Sequence, residues 1–240
     1  MILNTKIRAF LRNILAKLGL LTFIRDSWVW RLKNKNLYKN FHKNVNDAFD
    51  LVATLNKEKD LNLWPEFGTL LGIVRENGPI KHDLDLDFGS FFNEKNQHKI
   101  RETFLSNNFV LIKTTTMQST KRLIAEKYNY LNIDIDVYYF FEEEDRLVAF
   151  DLETDSGLSI EEELSVDKNI RPYKNIFTRF SLKQYSYRED IILVPENLEE
   201  HLVELYGRTY MVPDPKWRNN KRKGREKMND DRVEQEIFRK

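Results

Sequence analysis

Acidic and apolar residues alternate strictly along residues 83–88, whose sequence is DLDLDF. Because successive side chains of a β-strand point to opposite faces, this period of two predicts a strand over residues 83–92. Asp83, Asp85 and Asp87 would project from one face, while the apolar side chains face the core. Carboxylates placed side by side repel one another, so the row needs either full solvation or a divalent cation that neutralises it. The segment therefore requires a fold with a sheet, in which it forms a solvated edge strand or a cation site.

Two further features favour the cation site. A second segment, residues 132–137, has Asp134 and Asp136 on one face of a predicted strand among apolar residues. The small pair Gly68-Thr69 stands upstream of the first acidic strand, where it suits close approach of backbone amides to a phosphate at a helix N-terminus. Mg²⁺ prefers one or two carboxylates, with substrate phosphates completing its octahedron. The sequence therefore predicts a magnesium site that handles a phosphorylated substrate.

The remaining pattern predicts an α+β fold. Apolar residues at helical spacing predict helices over residues 36–59 and 70–76, and further helices near 94–106 and 196–206. The sum is a mixed β-sheet flanked by helices, without internal repeats. Strands other than the first acidic one are expected near residues 108–115, 121–128, 131–141, 146–152, 176–183 and 190–194.

Composition allows an ordinary core and excludes cysteine chemistry. With 240 residues, of which 41% are hydrophobic, the chain can bury the core of one large domain. The lack of cysteine excludes disulfides, thiolate metal ligands and a cysteine nucleophile, and it is expected of a reducing compartment. No uncharged apolar run reaches the length of a membrane span and no signal peptide is recognisable, so the sequence predicts a cytoplasmic protein.

Basic ends flank an acidic middle, although the net charge is only +1. In a basic extension over residues 1–35, residues 4–24 have the apolar spacing of an amphipathic helix. This helix either lies peripherally in the headgroup layer of an anionic membrane, at its inner face, or packs on the body of the protein or on a second subunit. Residues 36–215 form the predicted globular domain, and residues 216–240 a basic, flexible tail.

The tail raises a different class of function through its basic run KRKGR at residues 221–225. Together with the basic N-terminus, such a run is typical of a nucleic-acid-binding module, and the fold could also serve as a non-catalytic protein-binding module. A groove that follows a phosphate backbone would not be acidic at its centre, as this chain is. No specific nucleic-acid partner is therefore expected.

The motifs together resemble those of the LicD/fukutin family, a branch of the polymerase-β nucleotidyltransferase superfamily. The resemblance is carried by Gly-Thr-Leu-Leu-Gly at residues 68–72, by Arg75, and by Ile80 with the acidic strand that follows it. Near the C-terminus, the segments Pro-Glu-Asn-Leu at 195–198 and Leu-Tyr-Gly at 205–207 are similar to the family's closing helix and Tyr-Gly turn. The resemblance spans about residues 40–215 and implies a nucleotidyltransferase-like fold for the predicted domain.

The resemblance implies a metal-dependent transfer of a phosphorylated alcohol, such as phosphocholine or a polyol phosphate, from a CDP-linked donor to a glycan hydroxyl. CMP would be released, and the acceptor would be a surface glycan such as capsule or lipopolysaccharide, free or lipid-linked. Asp85, Asp87 and Asp136 would be the catalytic residues and would hold Mg²⁺ or Mn²⁺, with Asp134 as the alternative to Asp136.

Substrate contacts are expected from Gly68, Thr69, Arg75 and Asp83. Thr69 and the backbone amides near it would hold the donor phosphates, and Asp83 would support the site. Arg75 would contact the phosphates bidentately or remain an ordinary cation on the surface of its helix. The same acids would also serve nucleotidyl transfer from an NTP with release of pyrophosphate, so this second reaction stays open.

Overall fold

The computed structural model of the chain describes residues 28–80, 83–153, 170–214, 217 and 219–238. These residues form an α+β fold in which helices pack against a mixed sheet, as predicted. The helices are α1 (Trp28–Lys59), α2 (Phe67–Glu76), α3 (Glu94–Ser106) and α4 (Leu198–Tyr206), with a 3₁₀ turn at Asn219–Lys221. The strands are β1 (Trp64–Pro65), β2 (Asp85–Phe91), β3 (Val110–Met117), β4 (Leu123–Tyr130), β5 (Ile133–Glu143), β6 (Arg146–Asp151), β7 (Tyr173–Thr178), β8 (Leu182–Tyr187), β9 (Asp190–Pro195), β10 (Arg225–Lys227) and β11 (Val233–Ile237).

Helix α1 packs its apolar face on β2 and β5. Phe41, Val45 and Val52 recur at helical spacing on this face and are buried. The helix begins at Trp28, before the predicted start, so the predicted boundary at residue 35 does not interrupt it. The predicted amphipathic helix over residues 4–24 lies outside the described part of the chain. None of the described helices combines the length and the apolar character needed to cross a membrane.

Strand β5 is the centre of the main sheet. It pairs antiparallel with β4, parallel with β2 and, near its C-terminal end, antiparallel with β6. The strand order β10-β7-β6-β5-β4-β3-β11 runs from edge to edge, while β1 extends β2 on its free side. Two parallel strands need a long crossover connection, and α3, β3 and β4 provide it here. Ile133, Ile135 and Val137 are fully buried on β5, which explains the apolar run in its sequence.

The predicted strand over residues 176–183 is divided in the structure, so the prediction of one strand is wrong. Strand β7 ends at Thr178, β8 begins at Leu182, and between them Phe180 is buried against Trp64 with ring centroids 5.5 Å apart. Strand β8 then pairs with β9 in a separate two-stranded sheet. The break follows from packing with a residue distant in sequence, which periodicity along the chain does not reveal.

The C-terminal segment belongs to the fold in its described residues, 217 and 219–238, which form two strands where a flexible tail over residues 216–240 was predicted. Strand β10 pairs with β7 and strand β11 pairs with β3, which completes both edges of the main sheet. Trp217 packs on Tyr206 of α4, with ring centroids 4.9 Å apart. The segment is ordered although it is highly charged, because Arg225 finds a buried counter-charge in Asp151 at 2.8 Å. The predicted domain boundary at 215 therefore divides residues that fold together.

A buried carboxylate fastens α3 to the sheet. Glu126 of β4 is fully buried and accepts hydrogen bonds from Gln97 at 3.1 Å, from Arg101 Nε at 2.7 Å and from the Tyr139 hydroxyl. These donors compensate a charge that would otherwise be costly in the interior. Because neighbouring side chains on a strand point to opposite faces, Lys127 lies on the other face of β4.

Candidate active site

Three of the predicted carboxylates converge on two neighbouring parallel strands. Asp85 and Asp87 lie on β2, and Asp136 lies on β5 directly opposite Asp87 in the strand register. One oxygen from each of the three side chains lies within 4.8 Å of the other two. Small side-chain rotations would bring all three oxygens to the ligand distances of one hard cation. The structure thus brings together the predicted ligand set, and its role in metal binding stays a prediction.

Asp134, the alternative third ligand, is engaged beside the cluster. It accepts a hydrogen bond from Asn129 Nδ2 at 2.8 Å and forms an ion pair with Lys127 Nζ at 3.4 Å. Asp136 forms a closer ion pair with the same ammonium, at 2.9 Å, and is only 8% exposed. Both acids contact Lys127, but Asp136 belongs to the group whose oxygens lie within 4.8 Å of one another, so its position suits the third ligand better than that of Asp134.

Lys127 is a cation next to the cluster that the sequence analysis missed. The two-residue turn Leu131-Asn132, with φ of 52° and 64°, joins β4 to β5 in a tight hairpin and sets Lys127 opposite Asp136. Burial opposes the charge of Lys127, but Asp136 and Asp134 outweigh it and raise the pKa of its ammonium. The hairpin turn was the signal that could have placed this lysine.

The site crowds negative charge. Burial, followed by repulsion from Asp83, raises the pKa of the Asp85 carboxyl to about 6. Burial raises the pKa of Asp136 to about 6 against the opposing influence of Lys127. Burial, followed by Asp85 and Asp136, raises the pKa of Asp87 well above its ordinary value. Such a set of hard oxygen donors is suited to a divalent cation, which would relieve the repulsion.

The backbone of Asp87 is held on both sides by the start of α2. Its N–H donates to the Thr69 hydroxyl at 2.8 Å, and its carbonyl accepts from the Glu66 N–H at 2.9 Å. Thr69 is buried, and its hydroxyl, predicted to hold donor phosphates, is occupied in this way as an acceptor. The geometry therefore makes Thr69 a residue that positions Asp87, while its contact with phosphate stays a prediction.

Glu66, the residue before α2, is anchored by two partners. The Trp64 indole donates to it at 2.6 Å, and His201 Nε2 of α4 lies 2.8 Å from its second oxygen. All three side chains are fully buried. Glu66 and its two partners connect α4 to the start of α2, so they support the hydrogen bond from the Glu66 N–H to the Asp87 carbonyl. The sequence pattern does not predict this contact, because Glu66 and His201 are far apart in the chain.

The two glycines of the Gly-Thr-Leu-Leu-Gly motif allow close approaches. A Cβ added at Gly68 would lie 2.6 Å from Asp83 Oδ2, and one at Gly72 would lie 2.5 Å from the carbonyl oxygen of Gly78. Asp83 therefore sits against the first turn of α2. Burial and the nearby Glu76 raise the pKa of Asp83 to about 6. Asp83 lies close enough to Asp85 to raise its pKa, and the supporting role of Asp83 stays a prediction.

Arg75 ends α2 and faces the same region, but it already has partners. Its guanidinium forms an ion pair with Glu76 at 2.6 Å and donates to the Tyr210 carbonyl at 3.4 Å. The side chain is 11% exposed, so it is not an ordinary surface cation. Its bidentate contact with phosphate stays a prediction.

A cavity of about 650 Å³ opens in front of the carboxylates. A second depression of about 660 Å³ lies near Phe91 and Arg179, but no residue of the cluster lines it, so we do not assign it to the same site. The first cavity combines acidic, basic and aromatic side chains, among them Gly68, Arg75, Asp83, Asp85, Asp87, Tyr138, Asp151, Tyr206, Tyr210, Trp217 and Arg222.

Several of these lining residues were not predicted. Tyr138 follows Asp136 by two positions on β5 and packs edge-on against Phe67, with centroids 4.9 Å apart. Tyr206, predicted to have a structural role in closing α4, also lines the cavity, while Gly207 ends the helix with a φ of 84°. Arg222, part of the basic run, lies in the cavity wall. Alternation along β5 could have revealed Tyr138, whereas nothing local could have revealed Arg222.

The fold and the site define an α+β protein with a carboxylate cluster built on parallel strands beside a helix N-terminus. The family model of the LicD/FKTN/FKRP nucleotidyltransferase domain matches residues 60–176, which include the cluster. Residues 60–176 match the model of this family, and the resemblance inferred from the motifs is confirmed over these residues.

The relatives that this chain matches in three mammals carry the same name. The chain is 22% identical over 177 residues to the ribitol-5-phosphate transferase FKTN of Mus musculus, a match that covers 74% of this chain and 35% of the relative. It is 23% identical over 178 residues to the protein of that name from Homo sapiens, with the same shares of both chains. The chain thus spans about a third of the length of the curated relatives it matches.

Proposed function

We propose that this protein is a metal-dependent phosphotransferase. It transfers a phosphorylated alcohol, of the polyol-phosphate or phosphocholine type, from a CDP-linked donor to a glycan hydroxyl and releases CMP. The observation that carries the proposal is the convergence of Asp85, Asp87 and Asp136, inside the segment that matches the family and with Asp85 and Asp87 lining the cavity. The name of the relatives, ribitol-5-phosphate transferase, supports a polyol phosphate as the transferred group.

Asp85, Asp87 and Asp136 would hold Mg²⁺ or Mn²⁺. Their raised pKa values and their hard oxygen atoms support this assignment, because the cation removes the repulsion that the folded chain imposes. When bound, the cation supplies charge neutralisation for the non-bridging oxygens of the donor diphosphate. The proposed fold is nucleotidyltransferase-like, with the acids on β2 and β5 and with α2 directly before β2.

The chain's own residues bind the donor and handle the proton. Asp136 accepts the proton of the acceptor hydroxyl as a general base beside Asp85 and Asp87. The hydroxyl oxygen then forms a bond to the phosphorus that carries the alcohol, and the bond from that phosphorus to CMP breaks. Lys127 stays close to Asp136 and stabilises its charged form before the proton arrives. Thr69 and Glu66 keep Asp87 in register throughout.

The acceptor and the cellular setting belong to the same proposal. The acceptor is a surface glycan, free or lipid-linked, and residues 4–24 would bring the enzyme to the inner face of an anionic membrane. Deleting those residues should abolish sedimentation with anionic liposomes; unchanged sedimentation would remove the membrane contact from the proposal. The nucleic-acid reading loses support, since Arg222 and Arg225 of the basic run are buried in ion pairs with Asp151.

Calorimetric titration with CDP-ribitol, CDP-choline and NTPs, with and without Mg²⁺, tests the function. We expect Mg²⁺-dependent binding of one CDP-alcohol and its loss in Asp85→Asn/Asp87→Asn. Asp145→Asn, an exposed aspartate in the turn between β5 and β6, is the matched control and should bind like the wild type. Product analysis then separates the two reactions, because CMP marks phosphotransfer and pyrophosphate marks nucleotidyl transfer. Failure of the wild type to bind any of these nucleotides would refute the proposal.

A further inference from the structure

We propose that Arg222 binds the anionic part of the donor, so that the C-terminal segment supplies one wall of the site. The inference rests on the proposed function, because it names a residue that recognises the donor in that same cavity. Arg222 belongs to the basic run KRKGR, which the sequence analysis assigned to a flexible tail. It stands outside residues 60–176, the part that the family model matches.

Arg222 is a buried arginine that lines the cavity of the carboxylates. Its side chain is only 4% exposed, yet it lines the same cavity as Asp85 and Asp87. Its Nη1 donates to Asn175 Oδ1 at 2.8 Å and to Asp151 Oδ2 at 3.2 Å. Its Nη2 lies 3.5 Å from Asn219 Oδ1. Its Nε is buried and has no hydrogen-bond partner, and the same is true of Arg225 Nε. A buried N–H without an acceptor is costly, and of the two arginines Arg222 is the one that lines the cavity, where an oxygen atom of a ligand could be the missing partner.

The guanidinium lies beside the start of α2. Its central carbon is 4.9 Å from the ring centroid of Phe67, the first residue of the helix. The first amides of a helix have no partner within the helix, and Glu66 provides no side-chain cap here. A cation and the positive end of a helix therefore approach the same part of the cavity. Phosphates bind well to this combination, because guanidinium donors and helix amides both fit their oxygens.

Arg225 leaves the charge of Arg222 available to a ligand. Arg225 donates to the other oxygen of Asp151 at 2.8 Å and to Glu153 at 2.8 Å. Asp151 therefore keeps a counter-charge without Arg222. The two arginines are similarly buried, with 4% and 3% of their side chains exposed, and share Asp151 as partner. They differ in position, since Arg222 lines the cavity and Arg225 does not belong to its lining.

This difference provides a matched pair of variants, Arg222→Gln and Arg225→Gln. Binding of CDP and of inorganic pyrophosphate would be measured by calorimetry with Mg²⁺, and the melting temperature of each variant would be measured in parallel. We expect Arg222→Gln to bind CDP about ten- to a hundredfold more weakly, the size expected for lost hydrogen bonds to a charged group. Arg225→Gln should lower the melting temperature at least as much but bind CDP like the wild type.

The outcomes separate this inference from the proposed function. If Arg222→Gln binds CDP like the wild type, or if both variants weaken binding equally, Arg222 only fastens the segment and the inference is wrong. If the wild type binds pyrophosphate through Arg222 but no CDP-linked compound, the anion site stands and the proposed donor is wrong. If the wild type binds neither probe, both proposals fail. Partial recovery of CDP binding in Arg222→Lys would support a role of the charge itself.

Discussion

Replacing Asp85 with asparagine should stabilise the metal-free protein at neutral and alkaline pH. Burial and the neighbouring Asp83 raise the pKa of the Asp85 carboxyl from 3.8 to about 6. The folded state thus holds the proton more tightly than the unfolded chain. Protonation of Asp85 therefore stabilises the folded state, and this contribution is fully present below pH 3.8 and is lost as the pH rises through about 6. Above that pH, the folded protein contains a carboxylate that its surroundings disfavour, and asparagine removes that charge with almost the same shape.

The size of the effect follows from the shift. A change from 3.8 to about 6 corresponds to about 3 kcal/mol at about 1.4 kcal/mol per pKa unit. Asp85 is partly exposed and shares protons with the acids around it, so screening and redistribution of protons reduce this figure. We expect Asp85→Asn to increase the free energy of unfolding by about 1–2 kcal/mol at pH 8, and the difference to disappear near pH 4.

Urea unfolding in EDTA, over this pH range, measures the difference directly. Asp145→Asn serves as the control, because it removes an aspartate from an exposed turn and should change stability by less than about 0.5 kcal/mol. In Mg²⁺ the order should reverse, since a cation at a hundred times its Kd stabilises the wild type by about 2.7 kcal/mol and the variant has lost a ligand. A variant that is less stable than the wild type in EDTA at pH 8 would refute the reasoning that charge crowding dominates the site.

Three other substitutions test the supports of the site. Thr69→Val removes the hydroxyl that accepts a hydrogen bond from the Asp87 N–H, so the free energy of unfolding should fall by about 1–3 kcal/mol and Mg²⁺ binding should weaken. Unchanged Mg²⁺ affinity would contradict the role of Thr69 in positioning Asp87. Arg101→Met removes a cation from the buried Glu126, which should lower the free energy of unfolding by about 3 kcal/mol in urea; a loss below about 1 kcal/mol would mean that the other donors suffice. Gly72→Ala adds a Cβ 2.5 Å from the Gly78 carbonyl oxygen and should lower the melting temperature. Gly78→Ala, whose Cβ would have its nearest atom at 4.0 Å, should not. Equal melting temperatures would show that the backbone around Gly78 moves to make room for the Cβ at residue 72.

The parts of the fold that depend on local pattern could be predicted from the sequence. The alternation of acids and apolar residues gave the course of β2, and its equivalent in β5 gave the position of Asp136. Helix α3 matches its predicted range of residues 94–106, because Asn93 caps its N-terminus by accepting a hydrogen bond from the Asn96 N–H at Oδ1. Two predicted acidic strands were enough to propose the cluster, since parallel pairing then brings their acids together.

The parts that depend on distant partners could not be predicted. In the sequence, Arg222 and Arg225 look like part of a solvated basic run, because their ion-pair partner Asp151 is remote in the chain. Strand β10 has only three residues, all charged, and it forms because β7 offers an open edge. Local periodicity contains no record of such pairings, so the wall of the site supplied by the C-terminal segment became visible only in the fold.

The closure of both sheet edges by the C-terminal segment affects how the protein is made. Strand β3 ends at Met117, but its partner β11 begins only at Val233 and is made much later. Strand β7 likewise precedes its partner β10 in the chain. During synthesis, therefore, the edge of β7 stays open until β10 has been made and the edge of β3 until β11 has been made. Open edges recruit strands from other chains, so we expect the growing chain to be prone to aggregation until both strands have paired. A premature stop after the family domain would leave an unprotected sheet as well as an incomplete site.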